Sequence, residues 1–347
     1  MPQPTALITP GDLSPAEAHA LEQALQAGAL VKGTTSPNPP VGAAILSAEG
    51  ELCGVGGTQP TGGPHAEIIA LAQAGSMSRG GTAIVTLEPC RHTGRTGPCT
   101  QALHKAGIAK VIFIHADPMR EAAGGAQELQ AQGIKVAQLQ LEVPELQPWL
   151  SSVRLGRPHI TLKIAQTLDG FTSAADGTSQ WITGPAAREN VHQDRCTRDA
   201  IIIGTGTALA DNPSLTARTP SGELYPEQPL RIVIGSRPIN ELMPQGNLAE
   251  LGFLQFPDIP SMLSEIESLG LRDVLVEGGP RLAGSFLQAR VVDALRVYIA
   301  PKLLGSGTPS TLGAGVNTLI EAHEFELRST TVLGEDILAL YQRRNPS

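Results

Sequence analysis

Short apolar runs recur along the chain, bounded by glycine, proline or polar clusters, with stretches of helical spacing between them. Val41 to Leu46 and Leu52 to Gly56 read as a hairpin turning at Ala48-Glu49-Gly50. Thr82 to Leu87, Val111 to His115 and Ile134 to Val136 read as further strands. A capping box, Ser14-Pro15-Ala16-Glu17, opens a helix expected to run to about Ala27, with Gly28 as its stop. Further helices are expected from His65 to Ala74-Gly75, from Cys99 to Ala106-Gly107, and over residues 121–132. Residues 1–13 carry three prolines and no period, and read as a loose lead-in. Residues 137–158, with Pro144, Pro148 and Arg157-Pro158, read as a connection.

The second half starts afresh. In Ile160 to Ala165, Ile160, Leu162 and Ile164 alternate with Thr161, Lys163 and Ala165, the period of a strand. Ala200 to Gly204, Leu230 to Gly235, Val274 to Val276, Val297 to Ala300 and Ile337 to Tyr341 are the other expected strands. Helices are expected over Pro185 to Arg195 and from Pro280 to about Arg290. Strands alternating with helices predict an α/β sandwich in the first half. The expected domains are residues 1–150 and 151–347.

Composition narrows the functional classes. A length of 347 residues suits about two domains, and 41% hydrophobic with 17% charged residues suits a soluble globular protein. The net charge of -8, with no basic run, argues against nucleic-acid binding by phosphate neutralisation. No secretory signal or membrane-spanning apolar run is visible, so a cytoplasmic protein with reduced thiols and no membrane partner is expected. Cys53 and Cys196 read as packing residues.

The chemistry concentrates between His65 and Cys99. One imidazole and two thiols, from His65, Cys90 and Cys99, are soft ligands suited to zinc, and three protein ligands leave a fourth position open for water. Zinc there lowers the pKa of that water towards neutrality, and Glu67 is free to carry protons. His65 and Glu67 differ by about 200° on a helix, so they share a pocket only if His65 sits at or before the helix cap. The competing reading is a closed zinc knot with His92 or His104 as fourth ligand. The arrangement resembles the zinc nucleoside and nucleobase deaminases, whose pattern is His-x-Glu followed by Pro-Cys-x-x-Cys. Here residues 91–98 separate the two cysteines, which points to a branch with a longer loop.

Outside that stretch the signals are weaker. Asn38, between two prolines, either reads a base edge through its amide or forms a turn. Gly204-x-Gly206-x-x-Leu209 lacks the third glycine of a dinucleotide fingerprint. Glu277-Gly278-Gly279, at a strand-to-helix junction, is either an anion site for phosphate or pyrophosphate or a plain tight turn.

The motifs in order are more specific than any one of them. Thr35-Ser36-Pro37-Asn38-Pro39, Gly63-Pro64-His65-Ala66-Glu67, Leu87-Glu88-Pro89-Cys90, His92-Thr93-Gly94-Arg95-Thr96, Ser179-Gln180-Trp181-Ile182-Thr183, Asp211-Asn212-Pro213 and Val276-Glu277-Gly278-Gly279 follow one another over nearly the whole length. From about residue 15 to 342, the chain resembles the bifunctional riboflavin-biosynthesis deaminase/reductases. The resemblance implies a cytidine-deaminase-like α/β/α sandwich, then a dihydrofolate-reductase-like α/β domain. It implies hydrolytic deamination of 2,5-diamino-6-ribosylamino-4(3H)-pyrimidinone 5′-phosphate, then reduction of the ribosyl group to ribityl with NADPH.

Carried over by position, the resemblance makes His65, Cys90 and Cys99 the zinc ligands, Glu67 the proton carrier and Asn38 a substrate contact. Ala165, Trp181, Thr207, Asp211, Ser236, Gly279, Pro280, Arg281, Leu282, Ala283, Gly284 and Ser285 would hold the nicotinamide cofactor. Ser179, Arg195, Leu215, Arg218 and Glu277 would hold the phosphorylated aminopyrimidine, with Arg195 and Arg218 as a cationic clamp for its phosphate. Lys163 and Asp211 are both candidates for proton donor in the reduction. The family also implies self-association. The sequence departs from the family at Arg91, where a small residue is usual, and at Met119-Arg120, where Asn-Pro is common. The alternative functional reading is a zinc deaminase of another base with a non-catalytic second domain.

Overall fold

The computed structural model of the chain describes residues 5–92 and 97–344. It divides into two units, one up to Gly156 and one from Arg157. The first contains β1 (Ala6–Ile8), α1 (Pro15–Leu30), β2 (Gly42–Leu46), β3 (Leu52–Gly57), α2 (Ala66–Ala74), β4 (Thr82–Leu87), α3 (Cys99–Ala106), β5 (Lys110–His115), α4 (Gly125–Ala131), β6 (Lys135–Leu139) and α5 (Gln147–Leu155). Six strands form one sheet in the order β1-β6-β5-β4-β2-β3. β4, β5, β6 and β1 run parallel, and β2 is antiparallel to both β3 and β4. Ala83, Ile84 and Val85 of β4 and Val111 and Ile112 of β5 are wholly buried. Continuous apolar runs of this kind belong to strands covered on both faces.

Small residues let helices lie close on both faces. A β-carbon on Gly56 would fall 2.7 Å from Ile69 Cβ of α2, and one on the next residue, Gly57, 2.8 Å from the Ala27 carbonyl of α1. Successive strand residues face opposite sides, so α1 and α2 cover opposite faces of the hairpin, as the sandwich expectation requires.

Four expectations need correction. Ala6–Ile8 pairs with β6 as an edge strand and is not a loose lead-in. α1 continues to Leu30. Gly28 lies inside it, where a β-carbon would meet the Pro40 carbonyl at 3.0 Å, so this glycine serves close packing and not helix termination. α4 spans only Gly125–Ala131 because residues 119–123 are taken up by turns closing on the Met119 carbonyl. Residues 137–158 are not a simple connection: β6 runs on to Leu139, and α5 buries Trp149 and Leu150 in the first core.

The second unit contains β7 (His159–Thr167), β8 (Phe171–Ser173), α6 (Pro185–Arg195), β9 (Ala200–Gly204), α7 (Thr205–Asp211), β10 (Leu230–Ile234), α8 (Ile239–Leu242), α9 (Asn247–Leu251), β11 (Leu254–Phe256), α10 (Ile259–Ser268), β12 (Asp273–Val276), α11 (Pro280–Gln288), β13 (Ala294–Ala300), β14 (Thr308–Pro309), β15 (Phe325–Leu333) and β16 (Asp336–Arg343). Eight strands form a sheet in the order β11-β10-β9-β12-β7-β13-β16-β15, parallel from β11 to β13 and antiparallel beyond. β8 and β14 form a separate antiparallel ribbon. Period-2 burial splits the core: Ile202 joins Ile160, Leu162, Val274 and Phe286 on one face, while Ile201 and Ile203 join Val233 and Leu275 on the other. Gly204-Thr205-Gly206-Thr207 opens the short α7, and α8, α9, α10, β11 and β15 were not legible as elements in the sequence.

Candidate functional site

In the first unit, His65 is the cap of α2, with extended backbone (φ -70°, ψ 162°), and Glu67 lies in the first turn. This resolves the angular problem, because His65 precedes the regular helix. Cys90 lies on the loop after β4, and Cys99 is the first residue of α3 after Pro98. The three side chains converge, with ligand atoms all within 4.8 Å of one another. His65 Nδ1 is 3.3 Å from Cys99 Sγ and 3.5 Å from Cys90 Sγ. His92 and His104 are exposed and lie outside this group.

The donor set fits zinc on its own electrostatics. The Cys99 thiol hydrogen-bonds Cys90 and, with His65, pulls the Cys90 pKa down to about 4, while the Cys99 thiol is pushed up by the same partner and by burial. Two adjacent buried thiols thus retain one proton between them, and a bound cation removes the need for it. The Glu67 carboxyl is 4% exposed, and burial, then the neighbouring Cys90 charge, pushes it up to about 7.

Glu88, whose place in Leu87-Glu88-Pro89-Cys90 carries no role in the sequence alone, braces the frame of this site. Its buried carboxylate accepts hydrogen bonds from Asp117 N (3.2 Å) and Ala126 N (2.9 Å), which ties the Cys90 loop to the connection after β5 and to α4. Thr100 N donates to Cys90 O (3.2 Å), joining the two cysteine segments directly. Asn38 closes a turn through its N–H to Thr35 O (2.9 Å) while its carboxamide has no hydrogen-bond partner among the described residues, so both readings of it stand. Trp149 Nε1 donates to Pro37 O (2.9 Å) and fixes that loop from α5. Arg91 lies against Gly124, and the Asp117 carboxyl, raised by burial to about 6, accepts from Met119 N. Of His92-Thr93-Gly94-Arg95-Thr96, the last four residues lie outside the described residues.

In the second unit Ser236 follows the carboxyl end of β10, α7 that of β9, and Glu277 and Gly279 that of β12, the edge at which open α/β sheets bind ligands. Glu277 follows β12, and both its oxygens pair with Arg195 at the end of α6, at 2.7 and 2.8 Å. Burial pushes the Glu277 carboxyl up, but the Arg195 charge and hydrogen bonds outweigh it and bring it to about 2. Arg195 Nη1 also donates to Thr216 O (3.0 Å), so its donors are largely committed within the protein. Leu215, beside them, is buried with φ 51°, a left-handed conformation costly for a branched side chain. Lys163 projects from β7 with its Nζ 5.9 Å from the Tyr298 ring, and burial lowers its pKa. Arg218 is exposed and bonds Thr216 Oγ1 and Gly222 O. Gly279, Pro280, Arg281, Leu282, Ala283, Gly284 and Ser285 form the cap and first turns of α11; Thr207 and Asp211 lie on α7; Ser236 follows β10; Ala165 lies near the end of β7. The Ser179–Trp181 segment is exposed; Lys302 donates to the carbonyls of Trp181 and Ile182, both at 2.7 Å, and Arg188 stacks on the Trp181 ring at 4.6 Å.

Residues 15–115 match the cytidine and deoxycytidylate deaminase zinc-binding region, and residues 158–339 match the RibD C-terminal domain. The chain is 58% identical over 311 residues to riboflavin biosynthesis protein RibD of Corynebacterium ammoniagenes, covering 88% of this chain and 92% of that one. The chain belongs to the RibD family. RibD of Escherichia coli is 39% identical, covering 88% and 93% of the two chains. A solved RibD structure from Acinetobacter baumannii superposes with a TM-score of 0.81 at 34% identity, covering 94% of this chain and 98% of that one. As a RibD family member the chain is a bifunctional enzyme of riboflavin biosynthesis, with a zinc-binding deaminase domain and a reductase domain.

Proposed function

We propose that the first unit hydrolytically deaminates 2,5-diamino-6-ribosylamino-4(3H)-pyrimidinone 5′-phosphate at a zinc held by His65, Cys90 and Cys99. The second unit then reduces the ribosyl group of the product to ribityl with NADPH. The observation that carries the first step is the convergence of one imidazole and two thiols beside a buried carboxyl poised at about 7. Bound there, zinc supplies Lewis-acid activation of water near neutral pH. Glu67 accepts the proton released by the attacking water and returns it to the departing amine, a task suited to a carboxyl whose pKa lies near the working pH. Burial of Glu67 keeps bulk water from competing for that proton. Asn38, whose carboxamide has no hydrogen-bond partner among the described residues, would read the pyrimidine edge.

In the second unit NADPH supplies the hydride. The chain's task is alignment: the loop after β12 and the first turn of α11 face the pyrophosphate, and the Trp181 loop, held by Lys302, faces the nicotinamide side. The Arg195–Glu277 pair fixes the polar wall of the sugar site, and Arg218, exposed and less committed, is the better cation for the 5′-phosphate. Lys163, half-buried and with its pKa lowered by desolvation, is a stronger candidate than the exposed Asp211 to donate a proton as hydride arrives.

Replacing Glu67 with Gln tests the deaminase assignment. Zinc content is expected to stay at wild-type level while ammonia release falls about 10²–10⁴-fold. Loss of zinc from that variant would instead make Glu67 a structural residue.

A further inference from the structure

We propose that Tyr298 is a positioning residue of the reduction: its ring holds Lys163 where that side chain donates the proton that accompanies the hydride. This rests on the reading of the second unit as a reductase with Lys163 as its proton donor. Strand register places the pair. Arg296 of β13 stands opposite Lys163 of β7, and Tyr298 stands opposite Ala165. Residues two apart on a strand share a face, so all four lie on one side of the sheet. α6 covers that side, where its Ala187 packs in one cluster with Tyr298 and Leu338. On the other flank Val276 of β12 pairs with Leu162, so Glu277 stands level with Lys163.

The Tyr298 ring is 1% exposed and anchored at its far end. Its hydroxyl donates to Asn190 Oδ1 of α6 (2.8 Å), which also accepts from Arg296 Nη2 (3.0 Å). Arg296 in turn pairs with Asp194 of α6 (3.3 Å). Burial raises the Tyr298 pKa, so the phenol stays neutral. Lys163 Nζ lies over this ring, 5.9 Å from its centroid, within the range at which a ring face attracts an ammonium. Lysine has a flexible four-carbon stem, and such a contact narrows the positions its Nζ samples.

The ring also bears on charge. As ribosyl becomes ribityl, the C1′–O4′ bond opens, C1′ gains the hydride that turns NADPH into NADP⁺, and O4′ gains one proton. Lys163 must be an ammonium to give that proton, and solvent returns it afterwards. Burial lowers the Lys163 pKa; Glu277 opposes this, Arg195 adds to it and Asp194 opposes it. Arg296 and Arg198, the other nearby cations, are both paired with Asp194. The ring favours the ammonium without adding another carboxylate.

The test uses the full chain with Tyr298→Leu and Tyr298→Phe, oxidising NADPH on the deaminated product. Activity that needs an ammonium falls as pH rises through the lysine pKa, which sets the alkaline limb of the profile. In the Leu variant that limb is expected to move to lower pH, and kcat above neutrality to fall about 10-fold with the KM for NADPH held. The Phe variant keeps the ring, Arg296 still serves Asn190, and most of the loss should be recovered. Lysine ε-¹³C NMR of the cofactor-free chain, with Lys163 assigned through Lys163→Arg, reads the contact without turnover. Ring current should displace the Lys163 ε-protons upfield in wild type and in the Phe variant, and its titration should fall to lower pH in the Leu variant. An unmoved limb in the Leu variant, equal losses in both variants, or no ring-current displacement would overturn the proposal; if the Leu variant does not fold, the wild-type and Phe spectra decide. Full NADPH oxidation by Lys163→Gln would overturn the donor reading, and this inference with it.

Discussion

Glu277 shows at the scale of one residue how the candidate reductase site is held. Removing one partner of a buried, hydrogen-bonded charge pair typically costs about 3–5 kcal/mol, because the other charge is left unpaired. Glu277→Gln is therefore expected to lower unfolding free energy by that order and to impair NADPH oxidation. The pH dependence has a definite sign. The folded carboxyl titrates at about 2, below the ordinary value of 4.5, so its contribution is complete above about pH 4.5 and is lost as pH falls towards 2. The stability gap between wild type and Glu277→Gln, followed by denaturant unfolding from pH 6 down to 3, should narrow on the acid side; a gap that widens there would contradict the pairing. The site residues legible in the sequence were those whose chemistry is local: His65, Glu67 and the two cysteines announce themselves through residue type and spacing. Lys302 and Trp149 did not, because each acts on a carbonyl more than a hundred positions away in the chain.

Among the elements, those with strong periodicity or sharp stops were readable, and those defined by a partner were not. β4, α6 and β9 match the sequence reading residue for residue. β1, three residues long, exists only because β6 offers it an edge, and α5 owes its place to Trp149 and Leu150 entering the core. Gly28 misled because a helix-stopping residue and a close-packing residue are the same letter. Gly125 illustrates the second role next to the deaminase site: a β-carbon there would overlap the Pro89 carbonyl, one residue before Cys90. Gly125→Ala should therefore push the Cys90 loop away, cost about 1–3 kcal/mol by overpacking, and weaken zinc retention in competition with a chromophoric chelator. Unchanged zinc affinity would mean the loop is held without that contact.

For the whole molecule, two units with separate sheets and separate cores house two chemistries with different needs. In the proposed function the first uses a metal and a proton carrier and the second an aligned cofactor; among the described residues the grouping of His, Cys, Asp and Glu that could hold a metal is His65, Cys90 and Cys99 in the first unit. Within those residues no helix is long and apolar enough to cross a membrane. The α/β class of the first half followed from alternating strand and helix signals and that of the second from the order of its motifs, whereas the eight-stranded order of the second sheet depends on pairings that no local signal encodes. The most direct measurement follows ammonia release and NADPH oxidation separately in the full chain, before and after stripping zinc, with the diaminopyrimidine phosphate and with its already deaminated product. The account predicts that stripping abolishes ammonia release, that zinc restores it, and that NADPH oxidation on the deaminated product continues throughout; ammonia release persisting without metal would contradict it.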